Sequence, residues 1–149
     1  MKINPDCIRD ILLYLENHLT YVHDQNDGIE HNYIGIRTLA DKIHEKHKHS
    51  KEDVYYSVEK LLEARYISAL SMNLGSRNSI LVCDISDITY EGHNFLNTIR
   101  PEKIWKATLK KAKQIGGMSI KTLSLVSSSI MQGMAGNTEF IQSIVDILK

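Results

Sequence analysis

Leu61-Leu62-Glu63-Ala64-Arg65-Tyr66-Ile67 closes a helical pattern, and Ile88-Thr89-Tyr90-Glu91-Gly92-His93-Asn94-Phe95-Leu96 opens the next one. Upstream of the first stretch, Val54, Val58, Leu61 and Leu62 recur at helical spacing. Ser50, with Asp53 three residues on, is a shortened capping box for that helix. Between the two stretches, residues 67–74 and 79–84 are β-prone, and Gly75-Ser76-Arg77-Asn78 has turn chemistry. Before Ser50, Leu39, Ala40 and Ile43 mark the inward face of a helix running from about Ile36 to His47, and Tyr33-Ile34 suits a short strand.

Short strand, helix, helix, hairpin, helix is the outline of a winged helix, with the hairpin as the wing. The predicted fold is mainly α with a small β-hairpin: a winged helix-turn-helix core in residues 1–100 and a C-terminal helical extension in 101–149. Working outward, Asn4 caps a helix that starts at Pro5 and carries Ile8, Ile11, Leu12, Leu15 and Leu19. Residues 23–32 are polar, hold a glycine and read as a loop. Thr89 caps a fourth helix with Phe95, Leu96 and Ile99, which Arg100-Pro101 breaks. Pro101 opens a fifth, through Trp105 and Leu109 to Ile115, stopped by Gly116-Gly117. A sixth helical stretch covers 118–134. Gly136-Asn137 punctuates it, and Thr138 caps a last short helix through Leu148.

The 149 residues are enough for one domain with a real core, and the 42% hydrophobic content is that of a soluble globular protein. Cys7 and Cys83 lack CxxC spacing and read as buried free thiols of a reducing compartment. No apolar signal region opens the chain and no apolar run of spanning length occurs, so a cytoplasmic protein is expected. Net charge is zero but unevenly spread: residues 1–33 carry two basic against six acidic groups, a net of −4, and residues 101–149 carry seven against three, a net of +4. A dedicated nucleic-acid domain is usually basic, so the neutral total weighs against one.

Three stretches carry a family resemblance: Asn4-Pro5-Asp6-Cys7-Ile8-Arg9-Asp10-Ile11-Leu12-Leu13, Val54-Tyr55-Tyr56 through Leu61-Leu62-Glu63-Ala64, and Ile88-Thr89-Tyr90-Glu91-Gly92-His93 with Ile99-Arg100 and Trp105. Over most of residues 4–130 the chain resembles a family of small phage and prophage proteins of Gram-positive bacteria, of unknown function and related to winged-helix proteins. The resemblance implies a phage-type origin and a winged-helix core. It implies no catalytic residue.

In many winged helices the third helix enters the major groove. On a wheel of about 100° per residue, the face opposite Val54, Val58, Leu61 and Leu62 holds Glu52, Tyr56, Glu59, Lys60 and Glu63. Three carboxylates stand where phosphate contacts are wanted. Lys48, Lys51 and Lys60, with Tyr55 and Tyr56, argue the other way, and Arg77 and Asn78 at the wing tip could reach phosphate or a minor groove. These seven residues are the candidate contact set, for a protein partner first and duplex DNA second. In the plainest reading the glutamates are a solvated helix face.

Other constellations are weaker. His44-Glu45-Lys46-His47-Lys48-His49 gathers imidazoles, but the lysines disfavour a metal cation, so no metal site is expected and a solvated helix end is preferred. Ser127-Ser128-Ser129 has no nucleophile elbow, and no phosphate-cradling glycine loop occurs. Asp84 and Asp87 near the wing's end read as turn caps. No enzyme and no cofactor are therefore expected. Lys103, Lys106, Lys110, Lys111 and Lys113 suit the polar side of an amphipathic helix, with an anionic surface as the alternative partner. Met118, Ile120, Leu123, Val126, Ile130, Met131 and Met134 form a wide apolar face, so residues 118–148 are a candidate homodimer interface. The expected function is a non-enzymatic regulatory or interaction protein that binds a protein partner. The alternative is a dimeric DNA-binding transcriptional regulator.

Overall fold

Asn4 does at the first helix what its side chain allows: its Oδ1 accepts from Cys7 N at 3.2 Å and Pro5 sits where an N–H would be orphaned. The fold is described from a computed structural model, for residues 1–75, 80–134 and 146–147 and, at Leu81, for the backbone alone. Helix α1 (Pro5–His18) buries Cys7, Ile8, Ile11, Leu12 and Leu15. After it, the stretch expected to be a loop is a hairpin: β1 (Tyr21–His23) pairs antiparallel with β2 (Ile29–His31), Tyr21 opposite His31. Asp24 closes its turn by accepting from Asn26 N and Gly28 N at 2.8 and 2.7 Å. All six strand residues are exposed, so no alternation of apolar and polar residues announced them.

The short strand falls one residue later than expected, as β3 (Ile34–Gly35), and runs into α2 (Ile36–His47). Lys48 ends α2 in the left-handed region at φ 64°, and Ser50, accepting from Asp53 N at 3.1 Å, starts α3 (Lys51–Glu63). Strands β4 (Ile67–Leu74) and β5 (Ile80–Ile88) follow, and the antiparallel sheet order is β3-β5-β4. Strand β5 reaches four residues beyond the expected end because Ile85 and Ile88 are also buried, Ile88 opposite Ile67. Asp84 and Asp87 are therefore strand residues rather than turn caps, and Asp84 Oδ2 accepts from Ser71 Oγ at 2.8 Å. The helices α1, α2 and α3 pack on one another, α1 and α2 on β5, and α3 on β4.

The inward face of α3 is Val54, Ser57, Val58 and Leu61. Leu62, expected inside, is half-buried. It lies about 80° round the wheel from Val54, and Ser57, on the other side of Val54, takes the inner position.

Arg65, at φ 61°, turns the chain out of α3. Thr89 then ties the start of α4 (Tyr90–Ile99) back to that turn. Its N–H donates to Tyr66 O at 3.0 Å, its hydroxyl donates to Arg65 O at 2.7 Å and accepts from Gly92 N at 3.0 Å. A Cβ at position 92 would stand 2.0 Å from Tyr66 O, so only glycine fits. The Thr-Tyr-Glu-Gly-His stretch is thus a structural clasp.

The chain forms two compact units, residues 1–92 and 93–149, dividing within α4. In the second, Glu102–Ile115 is α5, closed by Gly116 at φ 92°, and Ile120–Met134 is α6. Ile104 and Ala107 of α5 pack with Val126 and Ile130 of α6, Met131 lying against them. Thr98 and Ser127 share a hydroxyl hydrogen bond at 2.7 Å. Of the face expected to form a dimer, Ile120, Leu123, Val126 and Ile130 are buried, Val126 and Ile130 of them against α5, whereas Met134 is exposed. The Gly136-Asn137 break and the Thr138 cap lie outside the described residues. Ile115, the last residue of α5, is 64% exposed.

Candidate functional site

Helix α3 is set by two ends. Ser50 caps its start, and the Asp53 carboxylate accepts from Asn4 Nδ2 at 3.1 Å, fastening that start to α1. The same Asn4 amide lies 3.5 Å from His49 Nδ1, and His49 Nε2 lies 2.7 Å from Asp10 Oδ2. A tautomer with the proton on Nε2 satisfies both contacts. His47 Nδ1 also approaches Asp10 Oδ2, at 3.5 Å, and His44 Nδ1 donates to His49 O at 2.8 Å. Five of the six residues of the histidine run are exposed, as expected of a solvated helix end, and its imidazoles also take part in a polar node joining α1, α2 and α3. Its charge partner, Asp10, is far away in sequence, which hid the arrangement. Among the described residues no group of three His, Cys, Asp or Glu side chains is placed to hold a metal ion.

With its ends held, α3 lines several open grooves among the described residues, two of which take in Glu59 on its outer face. One, of about 480 Å³, is lined by Met1, Lys51, Glu52, Tyr55, Tyr56 and Glu59. The other, of about 360 Å³, is lined by Glu59, Leu62, Glu63, Met72, Leu74 and Ile80. Glu59 belongs to both. Lys51, Tyr55 and Tyr56 of the candidate set are brought together in the first groove. Lys60 lies beside it, its Nζ 5.2 Å from the centre of the Tyr56 ring. Lys48 is exposed in the α2–α3 turn and lines neither groove. Arg77 and Asn78 lie outside the described residues.

The lysines have partners. Lys51 Nζ meets Asp41 Oδ1 at 3.0 Å. Lys60 Nζ donates to both Glu63 oxygens, at 3.0 and 2.9 Å, and that contact raises its pKa above the usual ammonium value. Met72, Leu74, Ile80 and Leu62 were missed as site residues. The signal that could have found three of them is the absence of any charged residue between Ile67 and Leu74, and Leu62's offset on the wheel.

Both thiols are buried. Burial pushes Cys7 up to about 11, against a smaller opposite pull from the Ser57 hydroxyl, and burial also raises Cys83. On α6, Ser127 is buried and Ser129 Oγ donates to Leu125 O at 2.9 Å. On α5, Lys106 pairs with Glu102 at 3.4 Å and Lys110 Nζ donates to Ile147 O. No helix among the described residues is long and apolar enough to cross a membrane.

Apart from Met1, the residues that line both grooves, and the clasp at Gly92, fall in the part of the chain that other sequences share. The sequence model of a family described as hypothetical protein, DUF2513, matches residues 2–119. The chain belongs to the DUF2513 family. The DUF2513 match takes in α1 through α5 and stops one residue before α6. No curated protein and no solved structure matches the chain.

Proposed function

We propose that this DUF2513 chain is a non-enzymatic interaction protein with a winged-helix type of core, binding a protein partner through the outer face of α3 and the adjoining hairpin. The order of α2, α3, β4, β5 and α4 supports that core, and the resemblance of the quoted stretches supports a phage or prophage setting. The observation that carries the reading is the charge of the α3 face. Among the described residues lining or flanking the two grooves, Glu52, Glu59 and Glu63 stand beside two lysines, Lys51 and Lys60, each already beside a carboxylate.

An exposed ion pair is worth under about 1 kcal/mol, so pairing alone would not withhold those lysines from a phosphate. The net sign decides. Duplex DNA carries one negative charge per roughly 1.7 Å of axis, and affinity depends on neutralising phosphates. A face with more carboxylates than ammonium groups does the reverse. Half-buried Tyr55 and Tyr56 beside open grooves suit a protein contact, where aromatic side chains act as anchors.

Fluorescence anisotropy with random duplex DNA, at about 50 and 200 mM salt, tests this directly, because phosphate contacts reveal themselves over that range. The expected result is no saturable binding at either concentration. Micromolar binding that collapses at the higher salt would overturn the reading in favour of the DNA-binding regulator.

A further inference from the structure

Strand β4 is an edge of the three-stranded sheet, and Ile67–Leu74 holds no charged residue and no proline. Edge strands of soluble proteins are ordinarily blunted by charge, by proline, by β-bulges or by a covering element, because an open row of N–H and C=O groups invites another strand; β4 has register shifts at Ser68/Ala69, Ala69/Ser71 and Asn73/Leu74 but neither charge nor proline. This edge is long, at eight residues, and its large side chains are uncovered: Leu70, Met72 and Leu74 are 63%, 49% and 54% exposed. Leu70 falls out of register with β5, between the Ala69–Ile85 and Ser71–Asp84 pairs. Met72 and Leu74 form, with Leu62 and Ile80, the apolar lining of the 360 Å³ groove among the described residues, where Glu59 and Glu63 line it too.

We infer that an extended segment of a protein partner, alternating basic and apolar side chains, adds to the open edge of β4. Its apolar residues occupy the groove and its basic ones meet Glu59 and Glu63. The inference rests on the protein-binding reading above and names the partner's chemistry. Main-chain pairing supplies affinity in this mode of recognition, and pockets for alternate side chains supply specificity. Charge chooses the occupant. Residues 1–92 carry ten basic against fifteen acidic groups, a net of −5, so the unit that holds the groove favours a cationic segment at close range. A second copy pairing through its own β4 would bring the same two glutamates of each copy toward one another, and like charges across an interface are disfavoured.

The test pans the full chain against a displayed library of random linear peptides and then maps the strongest binder by amide hydrogen exchange. Selected sequences are expected to alternate basic with apolar residues and to slow exchange along β4. Met72→Asp and Glu59→Lys should each weaken that peptide about ten-fold, equivalent to about 1.4 kcal/mol. Both positions are exposed, and circular dichroism with a thermal midpoint confirms that each variant is folded. Enrichment of acidic or helix-periodic peptides, protection confined to α3, or no enrichment at all would each overturn strand addition. Protection confined to α3 leaves the protein-binding reading standing. Duplex DNA binding that collapses with salt, with no peptide enriched, removes both.

Discussion

The two units of this chain are held together differently. In residues 1–92 an apolar core of three helices and a sheet is overlaid by polar ties between distant residues: Asn4 to Asp53, His49 to Asp10, Thr89 to Arg65 and Tyr66. In residues 93–149 the α5–α6 contact is an apolar cluster of Ile104, Ala107, Val126 and Ile130, and its polar bonds are mostly local, such as Thr108 to Ile104 O. Polar ties are directional and fix the placement of helix ends, whereas apolar contact fixes only which faces meet. The unit that presents the grooves is the one whose helices are positioned by hydrogen bonds.

The largest expected effect probes the clasp. Gly92→Ala places a methyl group 2.0 Å from Tyr66 O, a backbone atom that already accepts from Thr89 N. A loss of about 4 kcal/mol is expected, beyond the usual overpacking range because backbone rather than a side chain must move. Urea denaturation measures it; a loss below about 1 kcal/mol would show that the turn at Arg65 yields easily.

Next comes the apolar cluster. Ile104→Ala should cost about 3 kcal/mol, the transfer and cavity terms together. Hydrogen exchange should accelerate in α5 and α6. Equal acceleration across residues 1–92 would mean that the two units open as one, and the contrast between them would lapse.

The smallest effect tests the node. His49→Ala removes contacts to Asp10 and Asn4, and about 1.5 kcal/mol is expected, as for a hydrogen bond to a charged group. No change would show that Asp10 finds an equal partner in His47, already 3.5 Å away.

What was legible in the sequence follows the same division. Helix starts and stops were readable because caps are local: Asn4, Ser50, Thr89 and Gly116 each act within a few residues of themselves. The β1–β2 hairpin was not readable, because both its faces meet solvent and leave no hydrophobic period. Of the candidate set, Lys51, Tyr55 and Tyr56 line one groove and Lys60 lies beside it. The apolar half of the site was not legible, because Leu62 was assigned to the core and the hairpin strands, though anticipated, gave no hint of facing α3. The contact of the histidine run with Asp10 was not legible because that partner lies on another helix.

The node also bears on the order in which the chain folds. Asp10 and His49 are 39 residues apart, and Asn4 and Asp53 are 49 apart. Closing loops of that length costs entropy before any contact repays it. The α2–α3 pair, joined by a three-residue turn, is therefore expected to form first and α1 to dock late. The chevron of His49→Ala would register this as faster unfolding at an unchanged folding rate. Asp10 is then the latch that closes last and opens first.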